Sequence, residues 1–234
     1  MLPGRRDSWQ RDPRAGVLVL TAGLLVAGFI ALGIGLLVAP GFIALDQAVS
    51  AWFRAIRVPG IEPLAIVASR LGDTGPMTLL TAATAVVLWF RGRRVEAVMI
   101  IVAVLGAAIL GNGLKLVFHR MRPALEYARI ALPESYSFPS GHAIASFSYF
   151  AMLAFVLVVN TPRLKFDALI TAGCLAVSAA VALSRVFLGV HYFGDILGAW
   201  LLGAAWIAGV IAVAARWGAG PQSGGTTELG GVSV

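Results

Sequence analysis

The stretch VEAVMIIVAVLGAAILGNGLKLVFHRMRP, residues 95–123, decides how the chain folds. Its first two dozen residues are almost all apolar, and the cations Lys115 and Arg122 stand at its end. An apolar run of about 20 residues is the length of helix that crosses a hydrocarbon core of about 30 Å. Charges held back until the end of such a run mark where the helix leaves the bilayer.

The same pattern recurs along the chain, giving six spans at roughly 16–39, 76–90, 95–118, 141–159, 167–187 and 193–216. Of the 234 residues, 59% are hydrophobic and 12% charged, with a mean hydropathy of +0.88. Soluble domains carry roughly a quarter charged residues, so a water-soluble fold is excluded. The expected fold class is all-α, a polytopic membrane helical bundle over residues 16–216. The polar segment 1–15 and the Gly-, Ser- and Thr-rich segment 217–234 are expected to be disordered tails.

Between the first two spans, Phe42, Leu45, Val49, Trp52, Phe53 and Ile56 recur at helical spacing. Asp46, Ser50, Arg54 and Arg57 fall on the opposite face. Such a helix either lies along the membrane surface or packs on the bundle without lipid contact. Pro59-Gly60 ends it.

The net charge is +7, but the basic residues are scattered between apolar runs and form no stripe interleaved with aromatics. No nucleic-acid partner is expected; the charge reads as a topology signal. With the N-terminus inside, the cytoplasmic side holds Arg5, Arg6, Arg11, Arg14, Arg91, Arg93, Arg94, Arg163, Lys165 and Arg216. Both termini are then cytoplasmic. The run after Arg14 is too long for a signal-peptide core and has no A-x-A-like site behind it, so an uncleaved first span is expected. The single cysteine, Cys174, has no intrachain partner and is expected to pack.

Three polar clusters interrupt this background. Lys115 and Arg122 stand almost two helical turns apart, so both project from one face if the helix persists to Arg122. Pro123 disfavours helix at Arg122 and marks the exit there. Taken alone, the pair reads equally as snorkelling interfacial cations. The second cluster is Pro139-Ser140-Gly141-His142, ahead of the fourth span. Ser140 suits a helix cap, and the free N–H groups of the first turn suit an anion, a site that Gly141 lets approach closely. An ordinary cap beside an interfacial histidine fits as well.

In the third cluster Ser184-Arg185 precedes His191 and Asp195, whose spacing of four puts them on one helix face. A carboxylate on one imidazole nitrogen leaves the other free for attack. The alternative, a purely structural pair, weakens inside a membrane, where ionisable groups are costly and usually functional. Arg185 adds a planar fork that matches phosphate oxygens. The carboxylates are too dispersed to form a metal cage, and neither a metal nor a cofactor is expected.

The sequence from Lys115 to Arg122-Pro123, then Pro139 to His142, then Ser184-Arg185 through His191 to Asp195, resembles the three signature motifs of the type 2 phosphatidic acid phosphatase family. Residue types, spacing and order all agree. The resemblance implies a membrane-embedded lipid phosphatase in which His191 attacks phosphorus, Asp195 orients it, and His142 serves as acid and then base. Lys115, Arg122, Ser140, Gly141, Ser184 and Arg185 are the implied phosphate ligands, and His119 matches no motif position.

The implied partners are a lipid phosphate and the surrounding membrane lipids. With the clusters outside, candidate substrates are undecaprenyl diphosphate, phosphatidylglycerol phosphate and phosphatidic acid, and residues 124–138 and the segment near Trp52 are expected to shape headgroup access. The excess of Arg over Lys and the abundance of Ala and Gly point to a GC-rich bacterial genome, and the expected location is the bacterial cytoplasmic membrane. Two other classes compete. A vanadate-dependent haloperoxidase shares this superfamily's anion cradle but is typically soluble, and a non-catalytic lipid-binding protein would have eroded motifs.

Overall fold

A computed structural model describes residues 13–159 and 164–216. The described residues form eight α-helices, one short 3₁₀ turn and no strand. Both expected tails lie outside the described residues, except that Pro13–Ala15 already belong to the first helix.

Helix α1 (Pro13–Val38) is followed at once by α2 (Pro40–Ala55). Ala39 separates them with extended backbone (φ −98°, ψ 106°), the conformation that a following proline imposes, and Pro40 opens the new helix. Helix α2 is amphipathic as expected, but its polar side faces the protein. Asp46 and Ser50 are buried, whereas Phe42, Leu45 and Trp52 are each more than half exposed. An apolar face turned outward in this way suits a surface against lipid rather than water.

The connection after Pro59-Gly60 contains a helix that the sequence pattern did not reveal, α3 (Ile61–Leu71). It meets α4 (Thr74–Phe90) at a bend of 56° through Gly72-Asp73. With 17 residues, α4 reaches only about 26 Å at 1.5 Å per residue, short of a full crossing, and only taken together is the bent pair long and apolar enough to count as a sixth span. The other spans are α1, α5 (Arg94–Phe118), α6 (Gly141–Val159), α7 (Leu164–Phe187) and α8 (Phe193–Arg216), each long and apolar enough to cross a bilayer.

Helix α5 ends at Phe118, where the expected span 95–118 ends, four residues before Arg122, so Lys115 and Arg122 do not share a helix face. His119 caps it in the left-handed region (φ 48°), its N–H bonded to the Lys115 carbonyl at 3.1 Å. Arg120 and Arg122 therefore sit in loop geometry and fold back under the helix end.

Helix α6 is the centre of the bundle, packed against α5, α7 and α8, while α1 lies along the outside of α8. Small residues allow the close approaches. At Gly106 a Cβ would collide with the Trp206 indole, which donates to the carbonyls of Val102 and Ala103 at 3.2 and 3.1 Å. Near the loop end, Phe29, Phe118 and Phe138 form an aromatic trio with centroids 4.8–5.5 Å apart. Phe138 is only 1% exposed, which anchors Pro139-Ser140 at the start of α6.

Because α5, α6, α7 and α8 alternate in direction, the C-terminal ends of α5 and α7 and the N-terminal ends of α6 and α8 meet at one end of the bundle. All three polar clusters sit at those four ends.

Candidate active site

His191 lies in the short connection between α7 and α8, 2% exposed. Asp195 stands one turn into α8 and is fully buried. The His191 Nδ1–H donates to Asp195 Oδ2 at 3.2 Å. On the other side of the ring, Arg122 Nη1 donates to Nε2 at 3.1 Å. A carboxylate only accepts and a guanidinium only donates, so both neighbours select the same tautomer, protonated on Nδ1 with a lone pair on Nε2. Burial, reinforced by Arg122 and Arg185 and opposed by Asp195, holds the imidazole pKa down at about 3. The ring is therefore neutral at pH 7.

The turn leading into His191 requires Gly189. Its φ is +77°, in the left-handed region, and a Cβ there would run into the Tyr127 carbonyl oxygen.

Arg122 is fixed by its surroundings rather than by a helix. Besides His191, it donates to the carbonyls of Ser135, Val190 and Tyr136 at 2.7, 2.7 and 3.3 Å. It also reaches the Ser135 hydroxyl at 3.1 Å, which receives Lys115 Nζ at the same distance. Ser135 thus joins two cations twenty and thirteen residues away, and no local pattern signalled it.

Lys115, Arg122, Gly141, His142, Arg185 and His191 line one end of a cavity of about 580 Å³. A Cβ on Gly141 would stand 3.8 Å from Lys115 Nζ, so the backbone that opens α6 faces the same space as that cation. Two of the expected residues do not line it. Ser140 is fully buried behind the α6 terminus, where its hydroxyl accepts from Ala143 N at 3.5 Å and its own N–H donates to the Asp195 carbonyl at 3.2 Å. Ser184 donates its hydroxyl to the Val181 carbonyl of its own helix at 2.7 Å. His119 packs edge-on against Tyr136, 4.6 Å between centroids.

The elbow between α3 and α4 adds two residues that sequence reasoning missed. Asp73 Oδ1 pairs with His142 Nε2 at 2.8 Å. The Ser69 hydroxyl accepts from Arg185 Nη1, while the buried Arg185 Nε has no partner among the described residues. Two more missed residues, Asp46 and Arg120, stand behind Asp195: Arg120 Nη1 donates to Asp195 Oδ1 at 2.6 Å, and its Nη2 donates to Asp46 Oδ2.

Away from this charged end the cavity turns apolar. Its walls are Met77 and Thr81 of α4, Ile144 of α6, and a strip of α5 from Lys115 back to Ile101, about 21 Å of helix at 1.5 Å per residue.

A helical membrane bundle with a neutral, oriented histidine among three cations, opening into an apolar cleft, is built as a membrane phosphatase. The chain belongs to the PAP2 superfamily, whose sequence model matches residues 96–219. It is 30% identical over 161 residues to phosphatidylglycerophosphatase B of Bacillus subtilis strain 168, covering 68% of this chain and 77% of that one. It is 31% identical over 128 residues to an undecaprenyl-diphosphatase of Sulfolobus acidocaldarius, covering 53% of this chain and 57% of that one.

Among solved structures, a transmembrane PAP2-type phosphatidylglycerolphosphate phosphatase from Bacillus subtilis superposes with a TM-score of 0.73 at 23% identity, over 84% of this chain and 96% of the other. Aquifex aeolicus LpxE superposes at 0.56 with 23% identity, over 72% and 94%. At that identity the two structures show the shared fold.

Proposed function

We propose that the protein dephosphorylates a membrane lipid through a phosphohistidine at His191. The observation that carries this reading is the unprotonated Nε2 of His191, which lies at the charged end of a cavity whose other end is apolar. The charged end suits the phosphate and the apolar cleft suits the lipid chain.

In the first step the Nε2 lone pair attacks phosphorus and the bond to the leaving oxygen breaks. The electron pair goes to that oxygen, and His142 protonates it. In the second step His142 takes a proton from water, the water oxygen attacks phosphorus, and the bond to Nε2 breaks, releasing phosphate. Asp195 keeps the proton on Nδ1 and stabilises the positive ring that forms on phosphorylation. Asp73, bonded to His142, supplies the counter-charge for its imidazolium.

Lys115, Arg122, Arg185 and the N-terminal N–H groups of α6 gather the charge spread over the phosphoryl oxygens. The unpartnered Arg185 Nε is a donor suited to one of those oxygens. Ser140 and Ser184 act one layer back, holding the helix ends that present Gly141 and Arg185.

The bias of basic residues supports cytoplasmic termini and a site that opens to the outer face of a bacterial cytoplasmic membrane. Substrates there include undecaprenyl diphosphate, phosphatidylglycerol phosphate and phosphatidic acid, the first two matching the relatives' names. The test is phosphate release by the purified protein across a panel of prenyl diphosphates and glycerophospholipid phosphates, alongside His191→Ala. Turnover is expected on at least one headgroup class and none in the variant. Wild-type release by folded His191→Ala would overturn the assignment.

A further inference from the structure

We propose that Asp46 and Arg120 are positioning residues for His191, through which the lipid-facing helix α2 fixes the carboxylate that orients the nucleophile. The proposal rests on the reading of His191 as nucleophile and Asp195 as its orienting partner.

The Asp195 carboxylate is fully buried and each oxygen has an assigned task. Oδ2 receives His191 Nδ1, the Ser137 hydroxyl and the Tyr192 N–H, the last at 2.9 Å. Oδ1 receives Arg120. Rotation of the carboxylate would break all of these bonds together, so Arg120 sets the angle at which Oδ2 meets the imidazole.

Arg120 is held in turn from two sides. Its guanidinium carbon lies 4.5 Å from the centre of the Tyr192 ring. Its second amino group binds Asp46 of α2, which is 6% exposed, while Arg120 itself is 7% exposed. A buried carboxylate is expensive unless paired. Two of them share this one guanidinium, and only a planar fork can bridge both.

The second oxygen of Asp46 accepts the Gly194 N–H at 2.6 Å, and Ser50, one turn further along α2, accepts the Phe193 N–H at 2.9 Å. The orphan N–H groups that open α8 are thus satisfied by side chains of α2 as well as by Asp195 itself. Helix α2 therefore fixes both the terminus that carries Asp195 and the cation that orients it. The face of α2 that makes these bonds lies opposite the exposed Phe42, Leu45 and Trp52.

The experiment compares full-length Asp46→Asn, Arg120→Gln and Arg120→Lys with wild type in detergent, measuring kcat, KM and unfolding temperature, with His191→Ala as control. Asp46→Asn keeps the side-chain volume and an acceptor for Gly194, so it keeps the test open if Arg120→Gln fails to fold. By analogy with the outer partners of metal-bound histidines, whose loss lowers activity on the order of 10- to 100-fold, a loss of that order is taken as the scale here. That loss is expected in kcat, with KM changed by less than about threefold, because ground-state binding is untouched. Arg120→Lys, which keeps the charge but cannot bridge both carboxylates, is expected between Arg120→Gln and wild type. A purely structural role would lower the unfolding temperature and leave kcat per folded molecule unchanged. Wild-type kcat in folded Asp46→Asn or Arg120→Gln, with His191→Ala inactive, overturns this proposal alone; an active His191→Ala overturns the reading beneath it.

Discussion

Arg122 donates to Nε2 of His191 at 3.1 Å, the nitrogen opposite the one that Asp195 holds. One cation thus touches the lone pair proposed to attack phosphorus. If His191 is the nucleophile, a bound phosphate would have to draw that guanidinium onto its own oxygens before the lone pair is free, which would couple phosphate binding to release of the nucleophile.

Arg122→Lys tests that coupling. Lysine keeps the charge but cannot hold Ser135, Val190 and His191 together as Arg122 does. The expected outcome is a fall in kcat/KM on the order of 100-fold, the scale of a lost oxyanion donor. Steady-state phosphate release measures it, and activity within about threefold of wild type would contradict the role.

The buried state of His191 makes a prediction about stability. Its pKa is about 3 in the folded protein against an ordinary 6.5. Between those values the unfolded chain binds the extra proton, so stability falls as pH drops through that window, by up to about 1.4 kcal/mol per pH unit. Above pH 6.5 the contribution vanishes. His191→Asn cannot titrate, so the wild-type unfolding temperature should fall more steeply between pH 6.5 and 4 than that of the variant. Parallel curves would refute it.

The three clusters, the crossings and the amphipathic α2 were legible because each is carried by local spacing. The fold, the superfamily and the enzyme class followed from them. Long-range partners were not. The pairs of Asp73 with His142 and Ser69 with Arg185 depend on the bend at Gly72-Asp73, across sequence separations of 69 and 116 residues. The end of α5 near residue 118 was legible as well, but not that Arg120 turns back there toward Asp46 and Asp195. The polar face of α2 read as ordinary helix surface. A carboxylate opposite a lipid-facing stripe, in a chain with only 11 acidic residues, was the available signal that Asp46 has a buried partner.

Asp73→Asn separates the acid step from nucleophilic attack. The amide can still bond His142 but no longer supplies the charge that favours a protonated ring. A lipid alkoxide needs protonation as it leaves and p-nitrophenolate does not. The variant should lose on the order of tenfold or more in kcat on a lipid phosphate and much less on p-nitrophenyl phosphate. Equal losses on both substrates would assign Asp73 to the stability of the elbow instead.

The apolar half of the cavity is tested through chain length. Ala108 lines it on α5, two turns before Lys115 and away from the charged groups. Phenylalanine at that position fills space that a lipid chain would occupy while leaving the phosphate end open. Pockets discriminate added or missing methylenes by about 10- to 200-fold. Ala108→Phe is therefore expected to shift the ratio of kcat/KM for a long-chain lipid phosphate over its short-chain analogue downward by at least tenfold. Because the ratio is taken within one preparation, a partial loss of folded protein cancels from it. An unchanged ratio would mean that the lipid chain leaves the phosphate by another route, along the bilayer-facing surface outside the α4–α5 cleft.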